Sequence, residues 1–468
     1  MVVCILTREG GSGVSSLGVW FPQQGGAEDP LTVRESGPHG QPVRLALLGL
    51  GTVSAGVLQV LARNRAEIEH HVGGRIEVAR ILVRDTAKVR RVEVPSDLLT
   101  TDVNTILSDP RIAIVVELMG GVDRALSSIQ AALLAGKAVV TANKDVMAEF
   151  DQEVWAAARK GGAPLYFEAS VGGGVPVVRA LAEGLAGNRI HRIAGILNGT
   201  TNFILSRMSA EGGSQAEALI TAQLHGYAEA DPSADLDGLD AARKISILSS
   251  IAYAAPCHPG QVYREGIRGI TPADIEQAAH MGWTIKLLAI SERAQNRVTM
   301  RVHPAFVPAQ HPLAAVADAF NAVYIQGDPI GKMMLYGPGA GGEATASAVV
   351  ADIVRAARWV RRGAVAPEGP VRTLVEFGSM DDVHSRFYLR LRIPDRVGVL
   401  GQIAGAFGRN GVSILSVLQT PAAGDSAELV IVTHQVREDR MQRAVVEVGT
   451  LNVVERVASV IRLAPEDL

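Results

Sequence analysis

Cysteine is nearly missing from this chain. Among 468 residues only Cys4 and Cys257 occur, which excludes a disulfide framework, a CxxC pair and a thiolate metal cage, and favours a reducing, cytoplasmic compartment. The eleven histidines form neither HExxH nor the His/Cys spacing of a zinc site, so any catalysis is expected to run without structural zinc. Long apolar runs are also lacking. The longest uncharged stretch that suggests a membrane span, Ile245 to Tyr263, contains Ser246, Ser249, Ser250, Pro256 and His258, which bilayer hydrocarbon does not easily tolerate. There is no excess of one charge sign either: the net charge is −3, without a block of like charges, which argues against a nucleic-acid binder.

What is present is ample core material, 47% hydrophobic against 20% charged residues, in a chain long enough for two or three domains of about 150 residues. Residues 1–41 are glycine-rich without apolar periodicity and are expected to be a disordered extension. Val2 to Leu6 is too short for a secretory apolar core of about seven to fifteen residues. A true start near Val33 stays open.

From Val43 the rhythm is strand, glycine turn, helix. Val43 to Leu48 is apolar, Thr52 to Arg63 has helical spacing, Arg75 to Val83 alternates, Ile112 to Leu118 is a buried strand, Val122 to Ala135 a helix, and Ala138 to Thr141 another strand. Repeated βα units give an α/β, doubly wound, Rossmann-like sheet. It is expected over 42–168, with a further helix at about 340–361. An α+β catalytic and dimerisation domain is expected over 169–339, with a strand from Pro164 to Ala169 leading into it and a helix over Val175 to Leu185. A linker follows over 362–384, then a βαββαβ domain over 385–465.

Three groups of residues carry chemistry. The GLGT turn puts Gly49 and Gly51 between first strand and first helix, with Thr52 and Val53 opening the helix, where a pyrophosphate meets a positive helix end. The third fingerprint position is Ser54, so closer packing is forgone there. Beyond the second strand, Arg84, with Lys88, Arg90 or Arg91, is placed to take a 2′-phosphate, favouring NADP; Asp85 would instead bind ribose hydroxyls. The second group, YAEADPSADLDGLDAARK, concentrates Glu229, Asp231, Asp235, Asp237 and Asp240 at a loop-to-helix boundary. Asp237 suits a helix cap. Asp240 and Lys244 share a helix face at i, i+4, and Lys244 opens an apolar helix in which desolvation would lower a lysine pKa into proton-exchange range. Lys144 closes a βα strand at the ligand-binding edge of the sheet and would polarise a carbonyl. Third, Glu168 and the loop through Val171, Gly173 and Val175 combine a carboxylate with exposed carbonyls, a pattern open to a hard monovalent cation or to a plain glycine turn. Asn198 to Asn202 offers donors and acceptors for a polar substrate, or a cap for the helix at Phe203.

In their order and extent, GLGT, VVELMGG, VVTANK, EASVGGGVP, GILNGTTN, GYAEADPSADLDGLDAARK, YGPGAGGEATASAVV and DRVGVLGQIAGAFGRNGVSIL resemble homoserine dehydrogenase of the form with a C-terminal ACT domain, from about Val43 to Ile461. The resemblance implies reversible NAD(P)-dependent interconversion of L-homoserine and L-aspartate 4-semialdehyde, in biosynthesis of threonine, methionine and isoleucine. It makes Lys244 the proton donor or acceptor and has Asp240 and Glu229, with Asp235 beside them, bind the substrate amino group. Lys144 and Glu229 also reach the cofactor, Gly226 and Gly341 line its nicotinamide side, and Glu168 with the carbonyls of Val171, Gly173 and Val175 holds a sodium-like ion. Asp395 and Gly398 stand where ACT domains bind amino-acid effectors, threonine being the expected one. A homodimer or homotetramer is expected, with no nucleic acid and no membrane partner. The family has Gly at the position of Ser54, a departure that bears on cofactor affinity and preference. Two other readings compete. An aldehyde dehydrogenase needs a cysteine nucleophile, and Cys257 has no base beyond adjacent His258. A non-catalytic amino-acid sensor would have no use for Lys144, Asp240 and Lys244 together.

Overall fold

The computed structural model describes residues 41–90, 92–364, 369–422 and 424–468. Except for Gln41, the extension expected over 1–41 lies outside the described residues, as do Arg91 and positions 365–368 of the linker.

The first region is a six-stranded parallel sheet of β1 (Val43–Leu48), β2 (Ile76–Leu82), β3 (Leu99–Thr100), β4 (Ile112–Glu117), β5 (Ala138–Thr141) and β6 (Leu165–Tyr166), in the order β3-β2-β1-β4-β5-β6. Its central strands are almost wholly apolar because helices cover both faces. On one face lies α1 (Thr52–Arg63); on the other lie α2 (Asp123–Leu134), α3 (Lys144–Glu149) and α4 (Asp151–Gly161). Chain order reverses between β1 and β4, so the loops that follow them diverge and open a crevice at the carboxyl edge.

The second region carries β7 (Arg189–Ile196), α5 (Gly199–Glu211), α6 (Leu239–Tyr253), β8 (Trp283–Ala294), β9 (Arg297–Pro308), β10 (Phe320–Asp328) and β11 (Gly331–Pro338). Its strands pair antiparallel in the order β11-β10-β7-β8-β9. The 21-residue helix α7 (Gly342–Arg362) then returns to the first region and buries Ala346, Val349 and Ile353 against the face that α1 covers. The last region, β12 (Phe387–Pro394), α8 (Val399–Arg409), β13 (Ile414–Pro421), β14 (Ser426–Thr433), α9 (Glu438–Gly449) and β15 (Arg456–Leu463), is the expected βαββαβ unit.

Several expectations need correction. The last region joins the sheet of the second: β15 pairs in parallel with β9 through Ala305–Arg462 and Phe306–Leu463, which fuses both antiparallel parts into one eleven-stranded sheet. A buried ion pair, Arg390 to Asp274 at 3.0 Å, and Arg192 to Asp467 at 2.8 Å, reinforce that seam. The linker is not free chain, since Glu376–Phe377 adds to β9 and His384–Ser385 pairs with Val436–Arg437. The strand expected over Pro164 to Ala169 shrinks to β6 followed by a 3-10 turn at Glu168–Ser170. The helix expected over Val175 to Leu185 is a single turn, Val177–Arg179, running into a wider π turn, Ala180–Gly184. Asp237 does not cap α6, whose N-cap is Gly238; it pairs with Arg268 at 2.5 Å. Among the described residues no helix is long and apolar enough to cross a membrane.

Candidate active site

The turn after β1 is shaped by its glycines. Gly49 has φ +103°, and a Cβ there would stand 3.0 Å from the carbonyl oxygen of Leu118. Gly51 is different: its φ is −96° and an added Cβ would meet nothing within 4 Å. No packing of the protein itself requires glycine at 51, so what its bare backbone keeps clear is the cleft above it. That cleft, about 940 Å³, is lined by Gly49, Gly51, Thr52, Arg84, Met119 and Ser128, among others. The first-turn N–H groups of α1 have no intrahelical acceptor and favour an anion at this end. These residues fit a dinucleotide. The side chain of Val53, expected beside the cofactor, packs inward against the core and is not among the residues that line the cleft. Close packing of α1 is carried by Gly56, where a Cβ would lie 2.7 Å from the carbonyl oxygen of Gly342. Ser54 is fully buried, and its Oγ lacks a hydrogen-bond partner among the described residues.

The loop after β2 sorts its charges. Arg90 donates to the carbonyls of Lys88 (2.7 Å) and Asp85, tying the loop to itself. Asp85 accepts the N–H of Ala87 at 2.8 Å. Arg84 and Lys88 are exposed, with no hydrogen bond or ion pair from their side chains among the described residues, and both line the cleft.

Beyond the carboxyl edge, α3 and α6 bring the lysines together. Asn143 caps α3 by accepting the N–H of Val146 at 3.1 Å, which starts the helix at Lys144. Lys144 Nζ reaches Asp240 Oδ1 at 2.7 Å, and Lys244 Nζ reaches Asp240 Oδ2 at 2.8 Å. Lys244 also donates to the carbonyl of Leu197 at 2.7 Å. Asn198 donates to Asp240 at 2.9 Å and Asp235 at 2.7 Å, while its oxygen caps α5 through Thr201 N–H; the expected capping role is present. Burial pushes the Asp240 carboxyl up, but Lys244 and Lys144 outweigh it and hold it well below the usual carboxylate range. Burial pulls the Lys144 ammonium down, yet Asp240, aided by Asp145 and Asp235, turns this into a net rise. Asp235 is raised by burial, with Asp240 adding to it. The pairing of Asp240 with Lys244 expected from their i, i+4 spacing is present, and Lys144 joins it from α3.

Other expected residues fall into place less fully. Glu229 is exposed, and only its carbonyl is bonded, to Gln223 at 3.1 Å. Gly226 is an exposed turn residue with φ +74° outside the cleft lining. Gly341, φ +118°, is the N-cap of α7, next to Gly342, where a Cβ would lie 3.1 Å from Thr52. Glu168 is 4% exposed, and its carboxylate accepts the N–H groups of Val178 (2.8 Å) and Arg179 (2.9 Å). Its main-chain N–H in turn donates to Asp352 at 2.8 Å. Burial raises both carboxyls, that of Asp352 to about 6, and Asp352 adds to the rise of Glu168. Such a buried acidic pair fits a cation, although the carbonyl of Val175 is already taken by the N–H of Val177 at 2.8 Å. Among the described residues no group of three or more His, Cys, Asp or Glu is arranged to hold a metal ion. Gly398 begins α8 with φ +85°, and Asp395 accepts from Gln419 at 2.9 Å on an exposed turn. Asn321, fully buried and donating to the Leu197 carbonyl at 3.2 Å, is a site residue that no motif marks. Cys257 is buried, and burial pushes its thiol up to about 12, which removes it as a nucleophile.

A parallel sheet whose switch point opens on an anion-receiving cleft, with charged lysines just past its edge, is the arrangement of a nicotinamide-dependent oxidoreductase. Comparison with known proteins narrows that class. Family models match for the homoserine dehydrogenase NAD-binding domain over residues 49–168, homoserine dehydrogenase over 176–354 and the ACT domain over 387–448. The homoserine dehydrogenase of Synechocystis sp. is 43% identical over 90% of this chain and 99% of its own length; that of Bacillus subtilis is 40% identical over 90% and 98%. The crystal structure of a homoserine dehydrogenase from Thiobacillus denitrificans superposes with a TM-score of 0.84 at 39% identity, covering 91% of this chain and 98% of that one. A hyperthermophilic archaeal homoserine dehydrogenase in complex with NADPH superposes at 0.57 with 29% identity, over 68% of this chain and 98% of that one. The chain belongs to the homoserine dehydrogenase family, in the form that carries an ACT domain.

Proposed function

We infer that this chain catalyses the reversible NAD(P)-dependent oxidation of L-homoserine to L-aspartate 4-semialdehyde, with Lys244 moving the proton at the substrate oxygen. The observation that carries the residue roles is the bridging of Lys144 and Lys244 by the two oxygens of Asp240. The bound nicotinamide supplies or receives the hydride. In the reductive direction Lys244 donates its proton to the aldehyde oxygen, and Asp240 offsets the remaining ammonium charges throughout. In the oxidative direction Lys244 accepts the hydroxyl proton. Asp240, with Asp235 and Glu229, takes the substrate ammonium, which therefore competes with the lysines for Asp240. Lys144 holds the substrate against the cofactor cleft, and Gly226 and Gly341 are the residues that would line the nicotinamide side of a bound cofactor.

NADP is the favoured cofactor: Arg84 and Lys88 are exposed in the cleft while Asp85 is engaged by its own loop, and a structural relative is a complex with NADPH. Glu168, with the carbonyls of Val171, Gly173 and Val175, would hold a sodium-like ion, whose charge would offset those of Glu168 and Asp352. The Asp395–Gly398 turn takes an amino-acid effector, threonine first among them. The enzyme works in the cytoplasm as a homodimer or homotetramer. The deciding assay is the rise in nicotinamide absorbance on mixing the purified protein with homoserine and NAD or NADP. No rise with either cofactor sinks the reading.

A further inference from the structure

One buried carboxyl lies between the cofactor cleft and the lysine cluster and has no part in the proton chemistry above. Glu117 ends β4 and is fully buried. Its two oxygens lead to different halves of the site. Oε1 accepts the N–H of Met119 at 2.7 Å, and Met119 lines the cofactor cleft with Leu118 and Gly120. Oε2 accepts the hydroxyl of Thr141 at 2.6 Å. That hydroxyl accepts the N–H of Asn143 at 3.0 Å, and Asn143 caps α3 and donates to the Gly121 carbonyl at 2.8 Å. The next residue is Lys144.

We propose that Glu117 is a positioning residue of this enzyme, setting Lys144 against the cofactor cleft through Met119 on one side and through Thr141 and Asn143 on the other. The proposal rests on the reading of Lys144 given above. An apolar residue would fill the same space without desolvating a carboxyl, so a merely structural role gives no reason for an acid here. Its charge is also uncompensated. Burial pushes the Glu117 carboxyl up to about 7, opposed only by the hydrogen bonds of Thr141, Met119 and Asn143. The charged groups of the surrounding elements are engaged or distant. Lys144 and Asp145 on α3 turn to Asp240 and Arg243; Glu149 on α3, and Asp123 and Arg124 on α2, are exposed. Arg44 of β1 pairs with Glu77, Lys137 before β5 bonds the carbonyl of Ile112 at the opposite end of β4, and Asp352 of α7 bonds Glu168. Protonation lets Glu117 donate to Thr141, reversing that bond and turning the Thr141 hydroxyl hydrogen elsewhere, so the relay to Lys144 changes near neutral pH.

The test is Glu117→Gln, which mimics the protonated form, alongside Thr141→Val, which cuts only the Lys144 branch. Glu117→Gln should lower kcat about tenfold above pH 7, approach wild type below pH 6, and lose the neutral inflection of the pH profile, since small misplacements of a reacting group carry penalties of this order. Thr141→Val should lower kcat similarly while the Kd for NADPH, read by fluorescence titration, stays at the wild-type value. If both variants keep wild-type kcat from pH 6 to 9, or lose only thermal stability, the proposal is overturned. Should Glu117→Gln fail to fold, Thr141→Val decides alone by its split between kcat and NADPH affinity. Lys144→Ala separates this from the underlying reading: retained turnover in that variant overturns the role of Lys144 itself, whereas lost turnover there with unaltered Glu117→Gln and Thr141→Val overturns the positioning role alone.

Discussion

Two regions of the molecule present positive charge in opposite ways. In the loop after β2, Arg84 and Lys88 stand exposed along the cofactor cleft without a partner among the described residues. At the start of α3 and α6, Lys144 and Lys244 are tied to one buried aspartate, and Lys244 to a carbonyl as well. The first arrangement leaves its charge open to an incoming anion. The second is already neutralised from within, so its ammonium groups keep fixed positions when no substrate is bound. Recognition and chemistry thus call for different electrostatics: available charge at the surface, and oriented, compensated charge where a proton must move.

The largest effect should follow from breaking that internal compensation. Asp240→Asn leaves two ammonium groups facing each other across an amide. Removing one member of a buried charge pair is worth about 3–5 kcal/mol, here toward the low end because Lys144 is 38% exposed and can turn to water. Urea melts should show that loss, and turnover should fall at least as far as in Lys244→Ala. For Lys244→Ala itself, turnover should drop by about two or more orders of magnitude with homoserine and cofactor binding largely kept. Steady-state kinetics showing near wild-type kcat in either variant would remove the lysine–aspartate cluster from the chemistry.

The same contrast governs what could be read from the sequence. Asp240 and Lys244 lie four residues apart on one helix, so their meeting was legible from spacing alone. Lys144 reaches Asp240 from another region of the fold, and only its place at the end of a βα strand hinted at that. Asn321 had no signal: a single asparagine in a strand becomes a site residue only because β10 pairs with β7 and carries it to Leu197. The parallel sheet was legible because β1, β4 and β5 are largely apolar runs that alternate along the chain with helical spacing. Of the long β8–β9 hairpin the sequence marks only a strand over Arg297 to Val302, because the turn is Gln295-Asn296, with Gln295 at φ +55° and no glycine to mark it. Fusion of the two antiparallel sheets was invisible, since it depends on a two-residue parallel pairing between strands more than 150 positions apart.

A smaller, more selective effect is expected at the exposed loop. Arg84→Ala should raise the KM for NADP about tenfold or more, the worth of one or two hydrogen bonds to a charged group, and leave that for NAD nearly unchanged. Parallel initial-rate measurements with both cofactors check it. An equal rise for both would mean that Arg84 reads something common to them, such as the ribose or pyrophosphate, and NADP preference would then need another source.

The finest test uses salt, because screening distinguishes the two kinds of charge without any mutation. Charges in water are screened over about 8 Å at physiological ionic strength, whereas a carboxylate only 4% exposed and in contact with its partners at 2.7 and 2.8 Å is scarcely affected. Raising choline chloride from about 0.05 to about 0.5 M at fixed sodium should therefore raise the KM for NADP a few-fold while kcat at saturating cofactor stays nearly constant. Sodium is held fixed so that the ion proposed at Glu168 does not enter. In Arg84→Ala the salt dependence of KM should flatten, since the charge being screened has gone. A kcat that fell in step with affinity would place solvent-screened charge inside the proton-transfer site, and the division between available and compensated charge would fail.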